Sequence, residues 1–415
     1  MKSVGQLFAN RKMLFVFLLG FSSGLPIALT TGTLQAWLSD SEIDIKTIGL
    51  FALVGYPYTF KFAWSPLMDR FVPPFLGLRR GWMVLCQAGL ILCIFAMGEV
   101  DPRSRLEVLA LLAVCVAFLS ASQDIVVDAY RAELLDKDEL GTGTGLAITG
   151  YRIAMIVSGS VALILADHTT WTNVYRIMAA TLGVGMLAAI AAPEPQFRRQ
   201  SPKTLGEAVV QPIVEFFRRQ GSLEILAFVI LYKLGDVLAL ALQTKFMLSL
   251  EFTKSEIGYI SKGLGLAMTI FGSIVGGALM DKLGMKRALI GFGIFQGLSI
   301  LSFALLAEVG KSYPVMAGTI AFENLCSGFG NAAFVGYLMS LCNKRFTATQ
   351  YALLSSLGAI PRVFLASRMG YVVELVGWTQ FFLICTLAAA PGIVLVWLRF
   401  DSWERTDAAT DGALN

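Results

Sequence analysis

Apolar runs long enough to cross about 30 Å of hydrocarbon recur along nearly the whole chain, and they limit the fold more than any other feature. About twelve can be placed, at roughly 12–36, 46–68, 81–98, 106–131, 141–166, 171–192, 223–249, 256–280, 286–307, 312–341, 346–375 and 378–399. Inside a bilayer the backbone must satisfy its own polar groups, which leaves helices or a closed barrel. Every run is too long for a barrel strand of about ten residues, so the chain is read as an all-α integral membrane protein. Its 15% of charged residues, against about a quarter in a soluble domain, agrees. The first run follows Lys2, Arg11 and Lys12, is broken by "SSGLP" and carries no small-residue cleavage site; it is read as the first span, not as a signal peptide.

Lys and Arg in the loops set the expected orientation. Twenty lie on the side of the N-terminus, against five (Lys46, Arg103, Arg105, Lys254 and Lys311) on the other, which places both termini in the cytoplasm. The net charge of +4 reflects that bias, so the lipid bilayer is an expected partner and nucleic acid is not. Six cysteines are scattered through apolar segments without metal-ligand spacing and are read as small buried hydrophobes. The one histidine, His168, falls in a loop, which removes any Ser-His-Asp arrangement; "GTGTG" at 141–145 lacks the Lys-Ser/Thr of a phosphate loop and reads as close helix packing. No enzyme chemistry, metal or cofactor is expected.

Residues 193–222, "PEPQFRRQSPKTLGEAVVQPIVEFFRRQ" and its continuation, break the pattern. Leu205, Val209, Ile213, Phe216 and Phe217 share one helical side, as in an interfacial amphipathic helix joining two domains; a regulatory docking site is the alternative. The chain therefore divides into an N-terminal half (1–192), this linker, a C-terminal half (223–400) and a tail (401–415). The halves repeat one another weakly. "WSPLMDRFVPPFLGLRRGW" closes the second span and "VGGALMDKLGMKRAL" the eighth, with Asp69 and Asp281 separated by 212 residues; Arg152 and Arg362 are separated by 210. "GALMDKLGMKR" resembles the G-x-x-x-D-(R/K)-x-G-x-(R/K) loop of the major facilitator superfamily, which implies a fold of two six-helix halves. The first copy departs from it at Ser65 and at the Pro-Pro insertion.

Ionisable side chains deep in a span cost several kcal/mol unless paired or hydrated. At about 1.5 Å per residue, Arg152 lies ~16 Å into span 5, and Arg362, Lys233, Asp236 and Glu323 are similarly deep in spans 11, 7, 7 and 10. Lys61, Lys262 and Asp124 sit about a third of the way in. In a major facilitator fold these spans line or wall the central cavity, and spans 3, 6, 9 and 12 carry no deep charge; Arg176 on span 6 is shallow enough to snorkel. Five cations (Lys61, Arg152, Lys233, Lys262, Arg362) against three acids point to an anionic solute. Duller readings stay open. Lys233 and Asp236 at i, i+3 can simply neutralise one another, Arg152 and Arg362 can brace the bundle, and Glu323 can be a proton site or a lysine's partner. Thr31, Gln35 and Asn324 are further candidates for polar contacts to a solute or for helix packing. Asp124, Asp128 and Arg131 fall at i, i+4, i+7. Asp128 and Arg131 are expected to pair with each other and with the Asp69–Arg70 turn as a gate, with Asp281 and Lys282 as the repeat's counterpart, and Asp124 to reach Lys61 or Arg152 or to carry a proton.

"GFSSGLPIALTTGTLQAWL", "FKFAWSPLMDR", "ASQDIVVDA", "LYKLGD", "FENLCSG" and "LCNKRFTATQYALLSSLGA" together resemble the AmpG family of bacterial muropeptide permeases over nearly the whole chain. The resemblance implies import of GlcNAc-1,6-anhydroMurNAc and its peptide forms across the inner membrane, for peptidoglycan recycling and, where an inducible β-lactamase exists, its induction. It also implies the proton gradient as energy source, with Asp124, Asp236 or Glu323 as carrier. A transporter of another anionic solute such as an acyl-CoA is the runner-up, and a non-transporting sensor the reading from another class.

Overall fold

The computed structural model describes residues 11–195, 204–219, 221–343, 346–358, 365 and 368–412, and among them the regular structure is entirely helical. The helices are α1 (Arg11–Asp40), α2 (a run of short helices over 45–70), α3 (Leu78–Gly98), α4 (Leu106–Leu134), α5 (Leu140–Ala166), α6 (Trp171–Ala191), α7 (Ser222–Ser249), α8 (Glu256–Leu283), α9 (Met285–Val309), α10 (Tyr313–Ser340), α11 (Thr347–Gly358) and α12 (Met369–Gly412). Among the described residues nine helices are long and apolar enough to cross a membrane. The other three, α2, α10 and α11, fall on the remaining expected spans. α12 leaves helical geometry at Gly377 (φ 78), where expected spans 11 and 12 meet.

Several spans are broken, each for a local reason. In α1 the Thr30 and Thr31 hydroxyls donate to carbonyls of the preceding turn, and Thr31 leaves the helical region (φ −124, ψ −105). In α2, Pro57 and Pro66 each sit in the first turn of a short helix, where their missing N–H costs nothing. α5 widens to a π-turn at Val157–Val161, and the Ser158 carbonyl accepts instead from the Thr33 hydroxyl of α1 at 2.6 Å. α7 is interrupted between Leu231 and Leu234, at Tyr232 and Lys233.

The chain forms two compact units. The first comprises 1–136, 146–211 and 342–352; the second comprises 137–145, 212–341 and 353–415. Each thus takes in the start of a helix from the other sequence half. The core of the first is built from α1, α3, α4 and α6, with Leu25, Leu90, Ile94, Val116 and Tyr175 fully buried. That of the second packs Phe246, Phe303, Phe381 and Phe382 in stacked and edge-on contacts. Close backbone approach needs glycine at two kinds of place. A Cβ on Gly24 would strike the Tyr151 carbonyl, and one on Gly145 the Ser273 carbonyl, so "GTGTG" serves close packing of α5. The linker contains a helix, Leu205–Arg218, on which Phe216 is buried while Val209, Ile213 and Phe217 are exposed. The side shared by these residues is therefore split between protein and surroundings.

Candidate functional site

In the first unit the deep charges converge on α4. Asp124 sits at mid-helix and is partly accessible; Lys61 of α2 is the strongest charge acting on its carboxylate, ahead of Asp128 and Arg131. Tyr58 and Tyr151 stand within electrostatic range of it, and Ser23 beside it. The hydroxyls of Ser23, Tyr58 and Ser120 are buried, with Ser120 beside Tyr58. Behind them, the Ser22 hydroxyl accepts from Gln87 at 3.1 Å and Gln123 at 3.0 Å, so the interior of this unit is polar well beyond its charges. Arg152 of α5 is partly accessible, and its Nη1 touches only the Met155 sulfur, at 3.8 Å. Its Nε has no hydrogen-bond partner and no carboxylate pairs with it among the described residues. A guanidinium held this way retains its full capacity to bind a planar carboxylate.

In the second unit the break in α7 holds Lys233, only 7% exposed. Its Nζ lies 3.8 Å from Asp236, over the Phe334 ring at 6.0 Å, and within electrostatic reach of Glu323. No hydrogen bond is made by that Nζ among the described residues. Lys233 is therefore a cation set between two acids, and the i, i+3 pair with Asp236 exists but is loose. Glu323 is held by Asn324, whose amide donates to Glu323 Oε2 at 2.7 Å and to the Ile320 carbonyl at 2.9 Å, and accepts from Thr269 at 2.8 Å. Asn324 is thus occupied in orienting the acid. Thr31 and Gln35 are exposed; the Thr31 hydroxyl donates to the Ile27 carbonyl, and Gln35 has no side-chain hydrogen bond among the described residues. Arg362 and the side chain of Lys262 lie outside the described residues.

The turns after α2 and α8 carry two matching arrangements. The Asp69 side chain, fully buried, accepts from Arg79 Nη2 at 2.8 Å and from both the backbone N–H (2.9 Å) and hydroxyl (2.8 Å) of Thr349, in the first turn of α11. Asp281 accepts the N–H of Gly141 and of Thr142, each at 2.8 Å, and the Thr142 hydroxyl, in the first turn of α5. Each aspartate satisfies backbone donors that a helix start leaves bare. Asp128 and Arg131 pair at 2.8 Å, as expected. At the Asp69–Arg70 turn, Arg70 lies over the Phe71 ring at 5.5 Å and makes no ion pair among the described residues, while Asp69 is held by Arg79. Lys282 is exposed and likewise makes no ion pair there.

Arg79 is the residue that spacing did not single out. It is 1% exposed and bridges Asp69 to Glu133 at 2.6 Å, with Nη1 donating to the Met68 carbonyl. Its place beside a Pro-Pro loop made it look like one more cytoplasmic charge. The available signal was the pair of acids, Asp69 and Glu133, each close to an end of a neighbouring span.

The Major Facilitator Superfamily profile matches residues 13–366 and 235–412. An anhydromuropeptide permease of Escherichia coli K12 is 48% identical over 403 residues, spanning 97% of this chain and 82% of that one. An uncharacterised Haemophilus influenzae protein is 39% identical over 94% of this chain and 95% of its own. A putative transporter AmpG 4 of Rickettsia felis is 35% identical over 95% and 97%. Among solved structures, a human organic anion transporter superposes with a TM-score of 0.71 at 15% identity, covering 93% of this chain and 99% of that one. A proton:xylose symporter gives 0.68 at 10% identity, over 95% and 96%. At such identities these two structures speak to the fold alone.

Proposed function

Because the chain belongs to the major facilitator superfamily, and within it to the AmpG permeases, we propose that it imports anhydromuropeptides from periplasm to cytoplasm. The observation that carries this is the 48% identity to an anhydromuropeptide permease across 97% of the chain. Cargo of that class is GlcNAc-1,6-anhydroMurNAc with or without its peptide, and its carboxylates need cations in a span that is otherwise apolar. The guanidinium of Arg152, without a carboxylate partner among the described residues, and the loosely paired Lys233 support that role, with Lys61, Lys262 and Arg362 as further cations. Gln35 and Thr31 are the polar groups proposed to meet the sugar hydroxyls and amides, and Asn324, engaged with Glu323, would act there only by exchanging that bond for one to the cargo.

The protein is a multi-pass membrane protein and a transporter, not an enzyme. We place it in the bacterial inner membrane with both termini in the cytoplasm. The proposed cycle is alternating access driven by the proton gradient, without a cofactor. Asp124, Asp236 or Glu323 carries the proton, and the Asp69–Thr349 and Asp281–Thr142 contacts, with Asp128, Arg131, Arg70 and Lys282, form the gate. Proteoliposomes with an acidic exterior provide the test. Labelled anhydromuropeptide accumulates with the wild type, and Arg152→Ala reduces the initial rate at least tenfold. Uptake of an acyl-CoA with none of the muropeptide would move the protein to the runner-up class, and transport of neither would leave a sensor.

A further inference from the structure

The linker helix Leu205–Arg218 divides its surface three ways. At 100° per residue, Ala208, Pro212, Phe216 and Arg219 form one buried stripe, and Glu207, Gln211, Glu215 and Arg218 the polar one. Between them, Val209, Val210, Ile213, Val214 and Phe217 cover about 140° of arc, and all five are exposed, by 39 to 55%. A surface helix that only spanned two domains would show a buried face and a polar one. This one has a third, apolar and uncovered.

Two observations fix what covers it. The helix leads straight into an apolar span: Arg219 Nη1 donates to the Leu341 carbonyl, just past the end of α10, at 2.5 Å, and α7 begins at Ser222. The exposed face therefore ends, at Phe217, shortly before the start of a helix long and apolar enough to cross a membrane. Its chemistry is also that of lipid contact. Three valines, an isoleucine and a phenylalanine offer no hydrogen-bonding group, whereas the centres of protein interfaces are enriched in Tyr, Trp and Arg. Basic residues bracket the segment in sequence, with Arg198, Arg199 and Lys203 before it and Arg218 near its end. We propose that the linker helix docks its Val209–Phe217 face into the surface of an anionic phospholipid leaflet, making that leaflet a binding partner of the protein whatever its cargo. The apolar side chains enter the acyl boundary, and Arg218 meets the headgroups. Because one boundary between the two compact units falls within this helix, at Gln211 and Pro212, the lipid holds one of the stretches of chain that pass between them.

The test places a genetically encoded fluorescent amino acid at position 210, 214 or 217, and for contrast at 211, in the full-length protein in nanodiscs. The nanodiscs contain phosphatidylcholine alone or with a third of phosphatidylglycerol, and carry a lipid nitroxide just below the headgroup. Quenching at 210, 214 and 217 is expected to exceed that at 211 by about threefold or more, and to rise with phosphatidylglycerol. Equal quenching at all four positions overturns the proposal, and so does indifference to lipid charge. Lack of quenching at the apolar positions would mean that a protein partner or nothing covers the face. If a probe at 210 prevents folding, judged by size-exclusion profile, the probes at 214 and 217 still decide.

Discussion

Arg79 and Arg152 are both held inside the protein, yet they answer to different constraints. Arg79 is matched by Asp69 and Glu133, so removing it takes the bridging cation from two buried carboxylates, although Asp69 keeps its Thr349 donors. Arg79→Met is expected to cost about 3–5 kcal/mol, read as a lower unfolding midpoint in detergent. The exposed Arg176–Glu99 pair, of similar length, should contribute no more than about 1 kcal/mol by the same measurement. Among the described residues Arg152 has no carboxylate partner to strand. Arg152→Met should leave the unfolding midpoint within about 0.5 kcal/mol of wild type while muropeptide uptake is lost. A parallel fall in stability would show that Arg152 braces the bundle. Depth made Arg152 legible from sequence, because an arginine ~16 Å into an apolar run has no cheap explanation. Arg79 was not legible, since a cation at the end of a span satisfies the orientation rule whether it is exposed or buried. Its burial depends on acids 10 residues before it and 54 after it.

Helices meet closely where small residues allow it. Gly145 touches the Ser273 carbonyl of α8, and a side chain there forces the two helices apart. Gly145→Val is expected to destabilise by about 1–3 kcal/mol through overpacking. On α9, Gly291 has nothing within 4 Å of its would-be Cβ, and Gly291→Ala should stabilise by up to about 1 kcal/mol through helix propensity alone. Unfolding midpoints of the two variants, measured together, check both signs. The sequence pattern distinguished these glycines only in part: "GTGTG" stands out as a cluster, whereas a lone glycine in an apolar run does not say whether it faces lipid or a neighbour. The linker helix shows the same limit. Its apolar residues were visible as one side, but helical spacing cannot say that protein covers Phe216 and leaves Phe217 outside.

For the whole molecule, the twelve apolar runs carried most of the fold, because a bilayer leaves helical spans as their only solution. The exchange of helix starts between units could not be read, since it joins residues 280 apart, as in Asp69–Thr349, through hydrogen bonds that leave no periodic trace. The repeat offered a partial signal, placing an aspartate at both turns without revealing what either binds. Asp281→Asn removes the charge from three hydrogen bonds to the first turn of α5, at a cost of about 0.5–2 kcal/mol. Amide exchange at Gly141 and Thr142 should rise severalfold in that variant while amides in mid-α4 stay unchanged; unaltered exchange at 141–142 would mean that the cap contributes little. The charge asymmetry of the loops makes a separate claim. A fluorescent protein fused after the tail should be bright in cells and alkaline phosphatase fused there inactive, and the reverse pattern would invert the topology.

The interruption of α7 at Lys233 has an electrostatic consequence of its own. Peptide dipoles aligned along a helix leave partial negative charge at its C-terminal end and partial positive charge at its N-terminal end. The break creates one end of each kind in mid-span. Tyr232 caps the C-terminal end of Ser222–Leu231, Lys233 follows it as the N-cap of Leu234–Leu240, and Asp236 lies in that helix's first turn. Asp236 sits at the pole that favours it, and Lys233 stands between the two poles, one residue past the cap of the carbonyl end, with only a loose contact to that carboxylate. An unbroken helix would supply neither pole at that depth, and either side chain would then have to find its counter-charge elsewhere.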